Sequence, residues 1–112
     1  MTPTIVCLCG STKFKEQFIR ANFRETMAGK IVLTVGWFGH ADKDIYTPTD
    51  EEKKALDELH FRKIELADEI LVIDVDNYIG GSTGNEIAHA IAWKRKIRYW
   101  SQEEALQAKE GE

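Results

Sequence analysis

Cysteine and proline are both scarce, with two of each in 112 residues. Cys7 and Cys9 share one short apolar run, residues 4–9. Two positions apart on a strand they lie on the same face, but such close spacing rarely meets disulfide geometry. No other cysteine exists and no paired histidine stands nearby at ligand spacing, so no disulfide scaffold, metal or cofactor is expected. The two thiols read as small core residues of a reduced, cytoplasmic protein. Basic excess is also lacking: 15 Lys+Arg against 19 Asp+Glu leave a net charge of −4. That balance argues against a nucleic-acid partner and against an anionic membrane surface. No apolar run is long enough to cross a bilayer, and Pro3 and Thr4 lead straight into a strand where a secretory leader would have a basic segment. Internal repeats, low-complexity tracts and linkers are absent too.

What is present has the balance of an ordinary globule, 43% hydrophobic and 30% charged residues. The length is that of one domain, so any active site must be built on one sheet or completed by a second subunit. Four runs, residues 4–9, 31–35, 69–75 and 97–100, are almost continuously apolar and β-branched, as strands covered on both faces are. Helical segments alternate with them over roughly residues 11–28, 50–67, 83–95 and 102–109. Candidate inward stripes are Phe14, Phe18, Ala21 and Phe23 in the first; Leu56, Leu59, His60, Ile64 and Ala67 in the second; and Ile87, Ala88, Ile91 and Ala92 in the third. The alternation predicts an α/β fold: a single open parallel sheet of four to five strands with helices on both faces, flavodoxin- or Rossmann-like.

Ligands of such sheets sit outside the carboxyl ends of the strands. Three loops reach that edge: Gly10-Ser-Thr-Lys13, the irregular stretch 36–48, and residues 74–84. In the first, Gly10 permits a tight turn. Ser11 is either the cap of an ordinary strand–helix turn or part of an anion site at a helix N-terminus. In the second, Trp37 and Phe38 are candidates to stack on a planar base or to cover the sheet edge. His40, Asp42 and Asp44 are too irregularly spaced to read as a metal site. The third is the most informative. Glycine-rich Gly80-Gly-Ser-Thr-Gly84 precedes a helix that carries Glu86 in its first turn, where the helix N-terminus keeps a carboxylate ionised. Gly81, Ser82 and Thr83 are candidates to hold a phosphate or sugar, and Glu86 to attack an anomeric carbon. Thr83-x-x-Glu86 is equally a capping box, a pattern that Thr49-x-x-Glu52 and Ser101-x-x-Glu104 repeat. His60, seven residues before Ala67 on an antiparallel helix, lies about 10 Å toward the ligand edge. It reads as a core histidine or as a proton donor, with Asp57 one turn higher as the other candidate. Lys94, Arg95, Lys96 and Arg98, at a helix C-terminus, read as structural.

In order and spacing, three segments resemble the nucleoside 2-deoxyribosyltransferase superfamily, including its deoxynucleoside 5′-monophosphate N-hydrolases. They are Leu8-Cys-Gly-Ser11, His60-Phe-Arg-Lys-Ile-Glu-Leu-Ala-Asp-Glu-Ile-Leu-Val-Ile73, and Gly80-Gly-Ser-Thr-Gly-Asn-Glu-Ile-Ala-His-Ala90, and the likeness spans residues 6–99. The resemblance implies a glutamate nucleophile at Glu86, with substrate contacts at Gly10 and Ser11 and at Gly81, Ser82 and Thr83. It further implies a small-molecule nucleoside or nucleotide substrate and a homodimer. Two positions depart from the family: His60 stands where it has its acid/base carboxylate, and Gly80 where transferases have an aspartate. A more distant likeness is to phosphoribohydrolases with a Pro-Gly-Gly-x-Gly-Thr-x-x-Glu loop. The expectation is cleavage or transfer of an N-glycosidic bond; the alternative is a non-catalytic nucleotide-binding or sensing module on the same fold.

Overall fold

The chain was described from a computed structural model covering residues 2–39, 41–42 and 44–110. Its strands are β1 (Ile5–Gly10), β2 (Ile31–Leu33), β3 (Glu69–Ile73) and β4 (Lys96–Tyr99). All pair in parallel in the order β2-β1-β3-β4, so the sheet is the open α/β sheet expected, with four strands. The helices are α1 (Lys15–Met27), α2 (Asp50–Leu66), α3 (Gly81–Ala92) and α4 (Trp100–Glu110). Two 3₁₀ turns, Thr12–Phe14 and Val75–Asn77, follow β1 and β3.

Strand alternation divides the core into two layers. Val6 and Leu8 of β1 and Leu71 and Ile73 of β3 pack with Phe18 and Ala21 of α1 and Trp100 of α4. Cys7 and Cys9, with Ile70 and Val72, face the opposite way onto Ile64 of α2 and Ala90 of α3. The central strands are buried on both faces, which explains their unbroken apolar sequence.

Three stripes differ from expectation. Phe23 is exposed, and Phe18, Ala21 and Glu25 are what α1 buries. Glu25 can go inside because Arg98 and Lys30 pair with it. Leu56 and Leu59 face solvent, leaving His60 and Ile64 as the buried residues of α2. On α3, Ala88, Ile91 and Ala92 are exposed and the inward positions are Thr83, Ile87 and Ala90. Helix starts also move. α3 begins at Gly81 with Gly80 as its cap and no side-chain capping bond, so Glu86 is its sixth residue, in the second turn. Thr83-x-x-Glu86 is therefore not a capping box. At Thr49 the box is complete, Thr49 accepting from Glu52 N at 3.1 Å and Glu52 from Thr49 N at 2.9 Å. Ser101 lies inside α4, and its amide and hydroxyl bond Asp74 at 2.8 and 2.7 Å, pinning α4 to the end of β3. Of the basic cluster, Arg95 donates to Glu65 O and Arg98 pairs with Glu25 and Glu103, structural roles as expected.

Among the described residues, no helix is long and apolar enough to cross a membrane.

Candidate active site at the β1/β3 edge

β1 leads by way of α1 to β2 on one side, and α2 carries the chain back across to β3 on the other. The carboxyl ends of β1 and β3 thus flank the point where the strand order reverses, the usual crevice of such sheets. Gly10 closes β1 there at φ +154°, and a Cβ on it would lie 2.9 Å from the Ile73 carbonyl oxygen. Glycine is required for the two strand ends to approach so closely.

Under this edge, on the α2/α3 face, four polar side chains converge. Cys7 and Cys9 form the floor, since the period of the strand sends both inward. His60 arrives from α2, one turn above Ile64, with Nε2 3.7 Å from Cys7 Sγ and 3.6 Å from Cys9 Sγ. Glu86 arrives from α3, its Oε2 3.8 Å from His60 Nε2. Both helices are fixed below this point: His89 of α3 meets Glu65 of α2 at 2.7 Å, and its ring packs on Phe61. Asp57 stands one turn beyond His60 on α2, exposed to solvent, and its charge acts on Glu86.

Burial dominates the electrostatics. It pushes the Glu86 carboxyl up to about 7, with the negative charge of Cys7 and of Asp57 adding to the rise and His60 opposing it. The helix N-terminus does not keep this carboxylate at an ordinary value, contrary to expectation, because Glu86 sits one turn deeper than the orphan amides. Burial would depress His60, but its contacts with Cys7 and the charge of Glu86 outweigh it and leave the imidazole raised. The two thiols split: the hydrogen bond between them lowers Cys7 and raises Cys9, and burial raises Cys9 further. The four groups act electrostatically on one another in a site that opens to solvent mainly at Glu86.

The remaining candidates divide by what they touch. Ser11 accepts from Lys13 N at 3.4 Å and caps the 3₁₀ turn that follows β1. Thr83 turns inward and is 4% exposed, while Gly81 and Ser82 stay open at the α3 N-terminus, where first-turn amides lack helical partners. Phe38 stands edge-on to Phe18 with centroids 5.5 Å apart and joins the core beneath α1. Trp37 lines an apolar crevice with Tyr46, Pro48, Ala55 and Leu56. Of the polar residues in the 36–48 loop, Asp42 pairs with Lys15 at 2.6 Å, and His40 lies outside the described residues.

Sequence reasoning missed three participants. Cys7 and Cys9 read as inert core, because the histidine they meet lies more than fifty positions away. The signal was their shared strand face opposite an inward helix histidine. Tyr78 went unremarked as well. Its ring lies under Lys13 Nζ at 3.5 Å and edge-on to Phe14 at 5.9 Å, joining the loops after β1 and β3.

Compared with protein families and with curated protein sequences, the chain matches none.

Proposed function

We propose that the chain cleaves or transfers the N-glycosidic bond of a nucleoside or nucleoside 5′-monophosphate, as the resemblance to the 2-deoxyribosyltransferase superfamily implies. One observation carries the reading: a shielded carboxylate, Glu86, lies 3.8 Å from His60 at the strand-order reversal, one and a half turns below a glycine-rich helix N-terminus. A second carboxylate, Asp57, is within electrostatic reach of it. Glycosidic chemistry needs two such groups, one to attack carbon and one to deliver a proton.

In this reading a Glu86 oxygen attacks C1′ as the C1′–N bond breaks. The electron pair of that bond goes to the base nitrogen, which takes a proton from an acid at the mouth of the site. Asp57 suits that role, being exposed and one turn above the buried imidazole. His60, enclosed by both thiols and Glu86, is assigned to position the nucleophile. Water then attacks C1′ and gives a proton back to Asp57, as the C1′–O bond to Glu86 breaks and its electron pair returns to the carboxylate. The result is hydrolysis; a second base in place of water gives transfer. Gly10, Gly81 and Ser82 would hold the sugar or 5′-phosphate through amides and a hydroxyl, which a net charge of −4 does not prevent. Trp37, facing its crevice, is the aromatic available to a base, whereas the Phe38 ring is engaged with Phe18. The proposal includes a homodimer, whose interface would cover apolar side chains exposed here, such as Leu59 and Leu66 on α2.

The test is incubation with a panel of ribo- and deoxyribonucleosides and their 5′-monophosphates, with free base as the readout. Base release abolished by Glu86→Gln supports the proposal. Tight nucleotide binding without release would replace it with the sensing module.

A further inference from the structure

We propose that Cys7, Cys9 and His60 form a site for a thiophilic divalent cation of the zinc type, with Glu86 as fourth ligand. Among the described residues these three make the group of metal-ligating side chains, their donor atoms all within 4.8 Å of one another. A tetrahedral ion with bonds of about 2.3 Å to sulfur and about 2.0 Å to nitrogen holds a sulfur and a nitrogen ligand about 3.5 Å apart. The two observed edges, Cys7 Sγ and Cys9 Sγ to His60 Nε2, are 3.7 and 3.6 Å. The Glu86 edge, 3.8 Å, must shorten to about 3.3 Å for an oxygen ligand. Glu86 lies outside the group of three donors, so its side chain must turn inward toward the two sulfurs for it to become the fourth ligand.

The donor set selects the ion. Two sulfurs and an imidazole suit zinc or a similar soft cation and are a poor match for magnesium or calcium, which take oxygen. The thiols are fully buried, while the Glu86 side chain keeps 15% of its surface exposed, so an ion enters past the carboxylate. On binding, each thiol releases its proton to solvent as its sulfur takes up the metal, and no electron is transferred. Binding stands independently of the proposed catalysis. Its consequence for catalysis rests on that reading: a Glu86 oxygen held by metal cannot attack C1′, so metal loading would silence base release.

The experiment is titration of the chelator-treated protein with Zn²⁺ and with Co²⁺, read by bound metal after desalting and by the Co²⁺ absorption spectrum, with no nucleoside present. Expected are one ion per chain, a thiolate-to-cobalt charge-transfer band and tetrahedral ligand-field bands. Cys9→Ser and His60→Gln should each weaken binding by more than about 100-fold, exceeding the loss typical of outer-shell partners. No stoichiometric binding, a six-coordinate spectrum without the charge-transfer band, or undiminished binding in folded variants would each overturn the proposal. If the variants fail to fold, the wild-type Co²⁺ spectrum decides alone. Stoichiometric metal binding by a chain whose metal-free form releases no base would refute the catalytic reading and leave the metal site standing.

Discussion

His60 Nε2 lies 3.8 Å from the Glu86 carboxylate, and this contact ties the second turn of α3 to the middle of α2. The imidazole is also the hub for both cysteines of β1, so one side chain connects three elements at the ligand edge of the sheet. A residue in that place holds its neighbours in position and has little freedom to reach a departing base.

That division of labour separates His60 from Asp57. Asp57→Asn should lower base release about 10²–10⁴-fold for ordinary nucleosides, as expected when a general acid is lost. The loss should shrink for substrates whose leaving group departs without protonation. His60→Gln should reduce both substrate classes alike, because it disturbs the nucleophile. Steady-state rates on the two classes check this, and equal losses in Asp57→Asn would remove Asp57 as the acid.

At Gly10 the closeness of two strand ends makes the backbone intolerant. A Cβ 2.9 Å from the Ile73 carbonyl oxygen has to push β1 and β3 apart. Gly10→Ala should destabilise the fold by about 1–3 kcal/mol, the range for overpacking in a close-packed interior. Chemical denaturation measures it, and unchanged stability would show that the edge yields.

The acid limb of stability should be governed by the opposite end of the sheet. Glu25 is buried with Arg98, which donates to both its oxygens, and with Lys30 at 3.3 Å. Burial alone would raise this carboxyl, but Arg98 and then Lys30 bring it down to about 2 from an ordinary 4.5. A depressed folded value means that the stabilisation is fully present above pH 4.5 and is lost as pH falls toward 2. After allowance for solvent screening it amounts to about 2 kcal/mol. Glu25→Gln should cost that much at neutral pH and flatten the decline between these limits, which urea denaturation at a series of pH values would show.

Much of the fold was legible because the central strands β1 and β3, buried on both faces, write themselves as unbroken apolar runs. The edge strands β2 and β4 also fall within or beside the runs 31–35 and 97–100, but they are partly exposed, β2 ends at Leu33, and Trp100 opens α4. The site was legible only in part. Glu86 and His60 stood out through a glycine-rich loop and an inward helix position, and the structure brings them together. The α3 start was misplaced because Gly81 and Ser82 are weak helix formers, whereas Thr83 imitates a cap. The cysteines were invisible as partners of His60, since side-chain convergence across more than fifty residues depends on how α2 docks on β1. The exposure of Phe23 and Ile91 could not be read either, as the inward face of each helix is set by its tilt against the sheet and by the ion pairs that admit Glu25.

The aromatic reading can be tested apart from the chemistry. Trp37→Ala should raise KM for nucleosides about tenfold or more with little change in kcat, as loss of a stacking surface does. Phe38→Ala should lower thermal stability, because its ring packs on Phe18. The reverse pattern in steady-state kinetics and melting curves would assign the base contact to Phe38.

The central claim is that Glu86 bonds to the sugar. It is tested most directly by acid-quenching the metal-free protein during reaction with a slow 2′-fluoro-substituted nucleoside and mapping its peptides by mass spectrometry. The account predicts a pentosyl adduct on the peptide that carries Glu86, absent in Glu86→Gln. Base release that proceeds with no adduct on that peptide, and that survives Glu86→Gln, would contradict it.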